Sequence, residues 1–129
     1  MAVVLHEIKD TDWEYVVKVT TTSTNANASI LDVSAAEGAA TDPRLSIVAI
    51  SWSVASQTDI LWDATSNVVA LSLSGNGNYG HTHDMPAIPN NAGSGVTGDV
   101  LITNGSASVG TIIIKFRKVS GWDNIVTEA

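Results

Sequence analysis

Apolar and polar residues alternate one for one along most of this chain, the period of an extended strand whose two faces meet different surroundings. In residues 13–20, Trp13, Tyr15, Val17 and Val19 alternate with Glu14, Val16, Lys18 and Thr20, which predicts a strand with its odd positions inward. The clearest run is 45–55, where Val48, Ile50, Trp52 and Val54 line one face and Ile47, Ala49, Ser51 and Ser53 the other; the smaller face suits water or another subunit. Ile60 and Trp62 continue the pattern in 58–63, and Val69, Leu71 and Leu73 in 67–74. Between them Asp63-Ala-Thr-Ser-Asn67 supplies turn chemistry, so the two are expected to pair. Nearer the C-terminal end, Val100 and Ile102 precede Asn104-Gly105, a hairpin dipeptide. Ile112, Ile114 and Phe116 then alternate against Thr111, Lys115 and Arg117, which predicts a hairpin over 98–118.

The intervening segments are weaker. Residues 21–29 are small and polar and read as a loop, and 30–33 as a brief strand. The run from Ala35 to Pro43 breaks the pattern, with room for one helical turn that Gly38 and Pro43 stop from extending. With 2–8 as a further strand, seven or eight short strands make an all-β fold. The expected form is a two-sheet antiparallel sandwich, a jelly roll first and an immunoglobulin-like sandwich second. No repeat recurs at a fixed period, which argues against a solenoid or propeller.

The 129 residues suit a single domain over 1–129. A chain of this size buries about two-thirds of its unfolded surface, enough for one core. At 44% hydrophobic and 15% charged it is too apolar for disorder, and no apolar run nears the ~20 residues that span a bilayer. The start lacks the charged and apolar regions of a secretory signal, so synthesis and folding in a cytosol are expected. Without cysteine, stability has to come from packing, including packing between subunits. The net charge of −7 disfavours nucleic acid and membrane surfaces as partners. Lys115, Arg117 and Lys118 nevertheless gather half of the six basic residues into a candidate contact patch for an acidic partner. The competing reading is an ordinary solvated strand face.

Six of the ten glycines fall within 75–98, a length of loop that tends to be functional or held by a partner. Pro86 and Pro89 confine any strand there to an edge. This segment holds the one constellation suited to metal chemistry: His81, His83 and the adjacent Asp84 offer imidazole and carboxylate ligands. Gly75, five residues, then His81-Thr-His83 resembles the opening of the first cupin motif. The glutamate that motif places three or four residues on is here Ala87 or Ile88, and the remaining histidine is His6, far along the chain. Polar loop histidines with no ligand are therefore the expectation, with no catalytic residues, no resident metal and no cofactor. No nucleophile elbow or phosphate-cradling loop is present, and the chain reads as no enzyme.

Exposed tryptophans would suit sugar faces, but Trp52 and Trp62 share parity with core positions. Trp13 and Tyr79 remain candidates for solvent. Trp122, in a partly apolar tail, is expected to cover its own sheet or to dock on a neighbouring chain. The sequons at Asn27 and Asn104 carry no weight in a cytosolic protein.

The stretch from Leu45 to Val119 contains Asp59-Ile-Leu-Trp-Asp63, Leu71-Ser-Leu-Ser-Gly-Asn-Gly77 and Gly98-Asp-Val-Leu-Ile-Thr103 leading into Gly110-Thr-Ile-Ile-Ile-Lys115. It resembles small structural proteins of tailed bacteriophages, nearest to the capsid decoration or cement proteins. The resemblance implies a β-rich virion protein bound to the outer capsid surface, with the major capsid protein as partner. It also implies a homo-oligomer, a trimer before a dimer. Lys115, Arg117, Lys118, Tyr79 and Trp122 are the candidate contacts, and a tail or head-fibre component or a carbohydrate-binding module are the alternatives.

Overall fold

The computed structural model describes residues 3–11, 13–22, 24–36, 38–80, 85–104 and 109–122. His81, His83 and Asp84, Gly105 of the Asn-Gly pair and the tail after Trp122 lie outside the described residues. The strands are β1 (Val3–Asp10), β2 (Glu14–Thr21), β3 (Asn25–Leu31), β4 (Ala39–Trp62), β5 (Val68–Tyr79), β6 (Ile88–Pro89), β7 (Val100–Asn104) and β8 (Gly110–Trp122). All their ladders are antiparallel. The chain is all-β, as the alternation predicts.

β4, 24 residues long, organises everything else. One of its edges carries β6 at Ser46 and Ile47, then β5 from Ile50 to Trp62. The other carries β8 from Ala39 to Val54, then β7 from Thr58 to Trp62. The register with β5 slips between Val54 and Thr58, whose partners are Gly75 and Leu73, and over the same residues the other edge passes from β8 to β7. Extra residues on one strand are a bulge, and bulges bend a sheet. Gly75, at φ 62, supplies the left-handed backbone opposite the bend.

The bent sheet continues differently on its two sides. Past β8 come β2 and β1; past β7 comes β3. The path β1-β2-β8-β4-β7-β3 curls until β1 and β3, its two ends, lie side by side. The core is enclosed between the halves of this one continuous sheet, a sandwich-like arrangement. Val17, Val19, Ile112, Ile114 and Phe116 come from one half, and Ile30, Ile60, Trp62, Val100 and Ile102 from the other. Burying each such side chain contributes roughly 1.5–3 kcal/mol.

Three local expectations are corrected. The 98–118 segment is not a hairpin: β7 and β8 do not pair but follow one another along the same edge of β4, one on each side of the bend. The small polar run 25–29 is strand, because an edge strand against β7 needs only Ala28 and Ile30 turned inward. The Ala35–Pro43 break is mostly strand too. β4 begins at Ala39, and Pro43 sits where its pairing with β8 is interrupted between Ala39 and Arg44, so no ladder N–H is missed. The single helical turn comes earlier, at Val33–Ala35, capped by the Asp32 carboxylate, which accepts from the Ser34 N–H.

Candidate partner-binding face

The outward face of the half formed by β1, β2 and β8 gathers the basic residues. Alternation turns Tyr15, Val17 and Val19 inward and Glu14, Val16, Lys18 and Thr20 outward on β2. On β8, Ile112, Ile114 and Phe116 point in, and Ile113, Lys115 and Arg117 point out. The registers align these outward residues in rows. His6 lies opposite Lys18 and Lys18 opposite Ile113; Lys9 lies opposite Val16 and Val16 opposite Lys115; Glu14 lies opposite Arg117. A bulge in β1 between Glu7 and Lys9 brings Lys9 to this face.

Four of the six basic residues therefore share one surface: Lys9, Lys18, Lys115 and Arg117. Glu14 is the acid set among them. Its two carboxylate oxygens take Lys9 at 2.8 Å and Lys115 at 2.9 Å, bridging β1 and β8 across β2. Hydrogen bonds from those two ammonium groups hold the Glu14 carboxyl below its usual range. Among the described residues Lys18 and Arg117 have no acidic partner. Between the charges stand exposed apolar side chains, Val4 at 61% and Ile113 at 41% exposure.

Four carboxylates lie on the other half, while Glu7, Asp10 and Glu14 belong to β1 and β2. Asp59 accepts from Ser72 Oγ at 2.6 Å on the β4–β5 surface. Asp63 and Asp99 flank β7 and Asp32 follows β3, held by bonds from Thr97 Oγ1, the Val33 N–H and the Ser34 N–H. Burial, with Asp32 and Asp63 adding repulsion, raises the Asp99 carboxyl above its usual value against the opposing bond from Val33.

The residues expected to make partner contacts separate. Lys115 and Arg117 lie on the face. Lys118 does not: its side chain is fully buried, its ammonium 2.6 Å from both Asp10 Oδ1 and the Thr11 carbonyl oxygen and 4.7 Å from the centre of the Trp122 ring. Inward parity with Phe116 puts it there. Trp122 is also buried, its indole N–H donating to the Arg44 carbonyl at 2.8 Å, so it covers its own sheet. Tyr79 is partly buried and its hydroxyl donates to the Pro86 carbonyl, strapping the segment after β5 onto the sheet. Much of 75–98 is strand or pinned turn: β5 runs to Tyr79, β6 pairs with β4, and the Thr65 N–H donates to Ser94. Trp62 is core, Trp52 is half-buried over Gly77, and Trp13 is 53% exposed. Among the described residues no group of three metal-ligating side chains converges.

Sequence reasoning missed His6, Lys9 and Lys18 as members of this surface. Lys18 had the right parity, but its neighbours are set by the pairing of β2 with β1 and β8, which no local pattern encodes.

Comparison with family models, with curated proteins and with solved structures returns no match.

The inward side of the same strands supplies a titration test. Tyr15 is buried, and desolvation, helped by Glu7 and Asp10, pushes its hydroxyl up from 10.0 to about 12. Between those two pH values the unfolded chain has released this proton and the folded one has not. The associated stability is therefore fully present below pH ~10 and is lost as pH rises towards about 12. Absorbance at 295 nm should show one phenol ionising near pH 12 that Tyr15→Phe removes; an unchanged profile in the variant would contradict the assignment.

Proposed function

We propose that this protein is a structural virion component that binds the outer surface of a bacteriophage capsid as a homo-oligomer. Its β1–β2–β8 face meets an acidic surface of the major capsid protein. The observation that carries the reading is the concentration of Lys9, Lys18, Lys115 and Arg117, interleaved with exposed Val4 and Ile113, in a chain whose net charge is −7. Cations with apolar residues between them suit a protein surface: the charges set approach and orientation, and the apolar groups contribute once water is excluded. A small β-domain also gains stability by mass action when many copies occupy a lattice.

Cosedimentation with capsids assembled without the protein tests this. Saturable binding at low salt, weakened at several hundred millimolar salt, is expected because screening shortens the reach of such a face. No sedimentation at either salt would overturn the proposal. A carbohydrate-binding module is the second reading, and exposed Trp13 is the observation that favours it. A glycan that quenches tryptophan fluorescence in the wild type and not in Trp13→Ala would establish it.

A further inference from the structure

Where the curled sheet fails to close, β1 and β3 border a cleft of about 210 Å³. Its apolar wall comes from Leu5, Leu31 and Ala36, with the Tyr15 ring beside them. Its acidic groups are Glu7 on β1 and Asp32 after β3. Among the described residues no lysine or arginine lines it. An apolar cavity of roughly 150 Å³ already accepts benzene, so this space admits an aromatic ring or an alkyl chain of similar bulk. Two carboxylates in a semi-enclosed cleft reject anions and attract a positive charge.

We infer that the β1–β3 cleft is a binding site for an organic ammonium ion with an apolar stem, carried by a free amine or by a lysine side chain of a partner. The stem lies against Leu5, Leu31 and Ala36, and the ammonium group is held between Glu7 and Asp32. Glu7 also lies close enough to the Tyr15 hydroxyl to oppose its ionisation, on the cleft side of β1. The site is on the opposite side of β1 from His6 and Lys9, so it stands or falls independently of the capsid proposal.

Titration of the full chain followed by amide chemical shifts tests it. Phenethylammonium should move the amides of Leu5, Glu7 and Leu31 saturably with a Kd on the order of a millimolar, the range expected for so small a ligand. Phenylacetate, the same shape with opposite charge, should not. Glu7→Gln should weaken binding about tenfold, a loss of one charged partner. Leu5→Trp, which fills the cleft and keeps Glu7, should abolish binding and leave the thermal midpoint in place. Nα-acetyl-lysine methylamide separates the sources: binding comparable to the amine supports a partner's lysine, and binding of the amine alone supports a free ligand. Equal shifts with phenylacetate, or no saturable shift at β1 and β3 with either cation, would overturn the inference.

Discussion

Replacing Lys118 with alanine should cost about 3–5 kcal/mol, the range for removing one partner of a buried ion pair. Net stability of a domain this size is only about 5–15 kcal/mol, so the loss is a large share of it. The reason is geometric. Lys118 is 2% exposed, and its ammonium joins Asp10 and Thr11, at the end of β1, to the last turns of β8 and the Trp122 ring. Its backbone N–H also donates to Trp13 at 2.8 Å. Without the ammonium, the Asp10 carboxylate keeps a desolvated position with its cation gone, and a cavity opens against Trp122. Chemical denaturation should show a lower midpoint with an unchanged slope. The double variant Asp10→Asn/Lys118→Met should recover much of the loss, since neutral groups of similar size replace both charges of the pair. If Lys118→Ala unfolds within ~1 kcal/mol of the wild type, the buried pair is not what ties β1 to β8.

Reversing the charge of the outer face should act on binding and leave the fold alone. Lys115→Glu/Arg117→Glu replaces two cations by two anions beside Glu14, so attraction to an acidic surface becomes repulsion. Capsid affinity should fall by about a hundredfold or more, while exposed substitutions of this kind change stability little. Both positions point away from the core, and Phe116 between them points into it. Lys115 does give up its bond to Glu14, so a loss of up to ~1 kcal/mol from that exposed pair is expected. Retained capsid binding by a folded double variant would remove this face from the account.

The period-2 pattern made the inward and outward sides of β2 and β8 legible. Tyr15, Val17, Val19, Ile112, Ile114 and Phe116 are where alternation puts them, and Trp62 is core for the same reason. The same rule separates Lys118 from Lys115 and Arg117, although proximity along the chain suggested one cluster. What alternation does not carry is pairing. Asn104-Gly105 is a sound local signal for a hairpin, yet β7 and β8 both satisfy their ladders on β4. A strand of 24 residues with a bulge between Val54 and Thr58 offers each of them a partner on a different side of the bend. The basic face was hidden for the same reason: Lys9, Lys18 and Lys115 lie far apart in sequence and meet only through the β1–β2 and β2–β8 registers. The cleft needs more still, since it exists because the two ends of the sheet path approach one another.

Imaging a capsid decorated with this protein, at a resolution that orients the strands, addresses the central claim most directly. The account predicts β1, β2 and β8 against the capsid, with Lys18, Lys115 and Arg117 at acidic side chains of its subunits. Density in which that face looks outward to solvent, with the β3–β7–β5 side in contact, would contradict it.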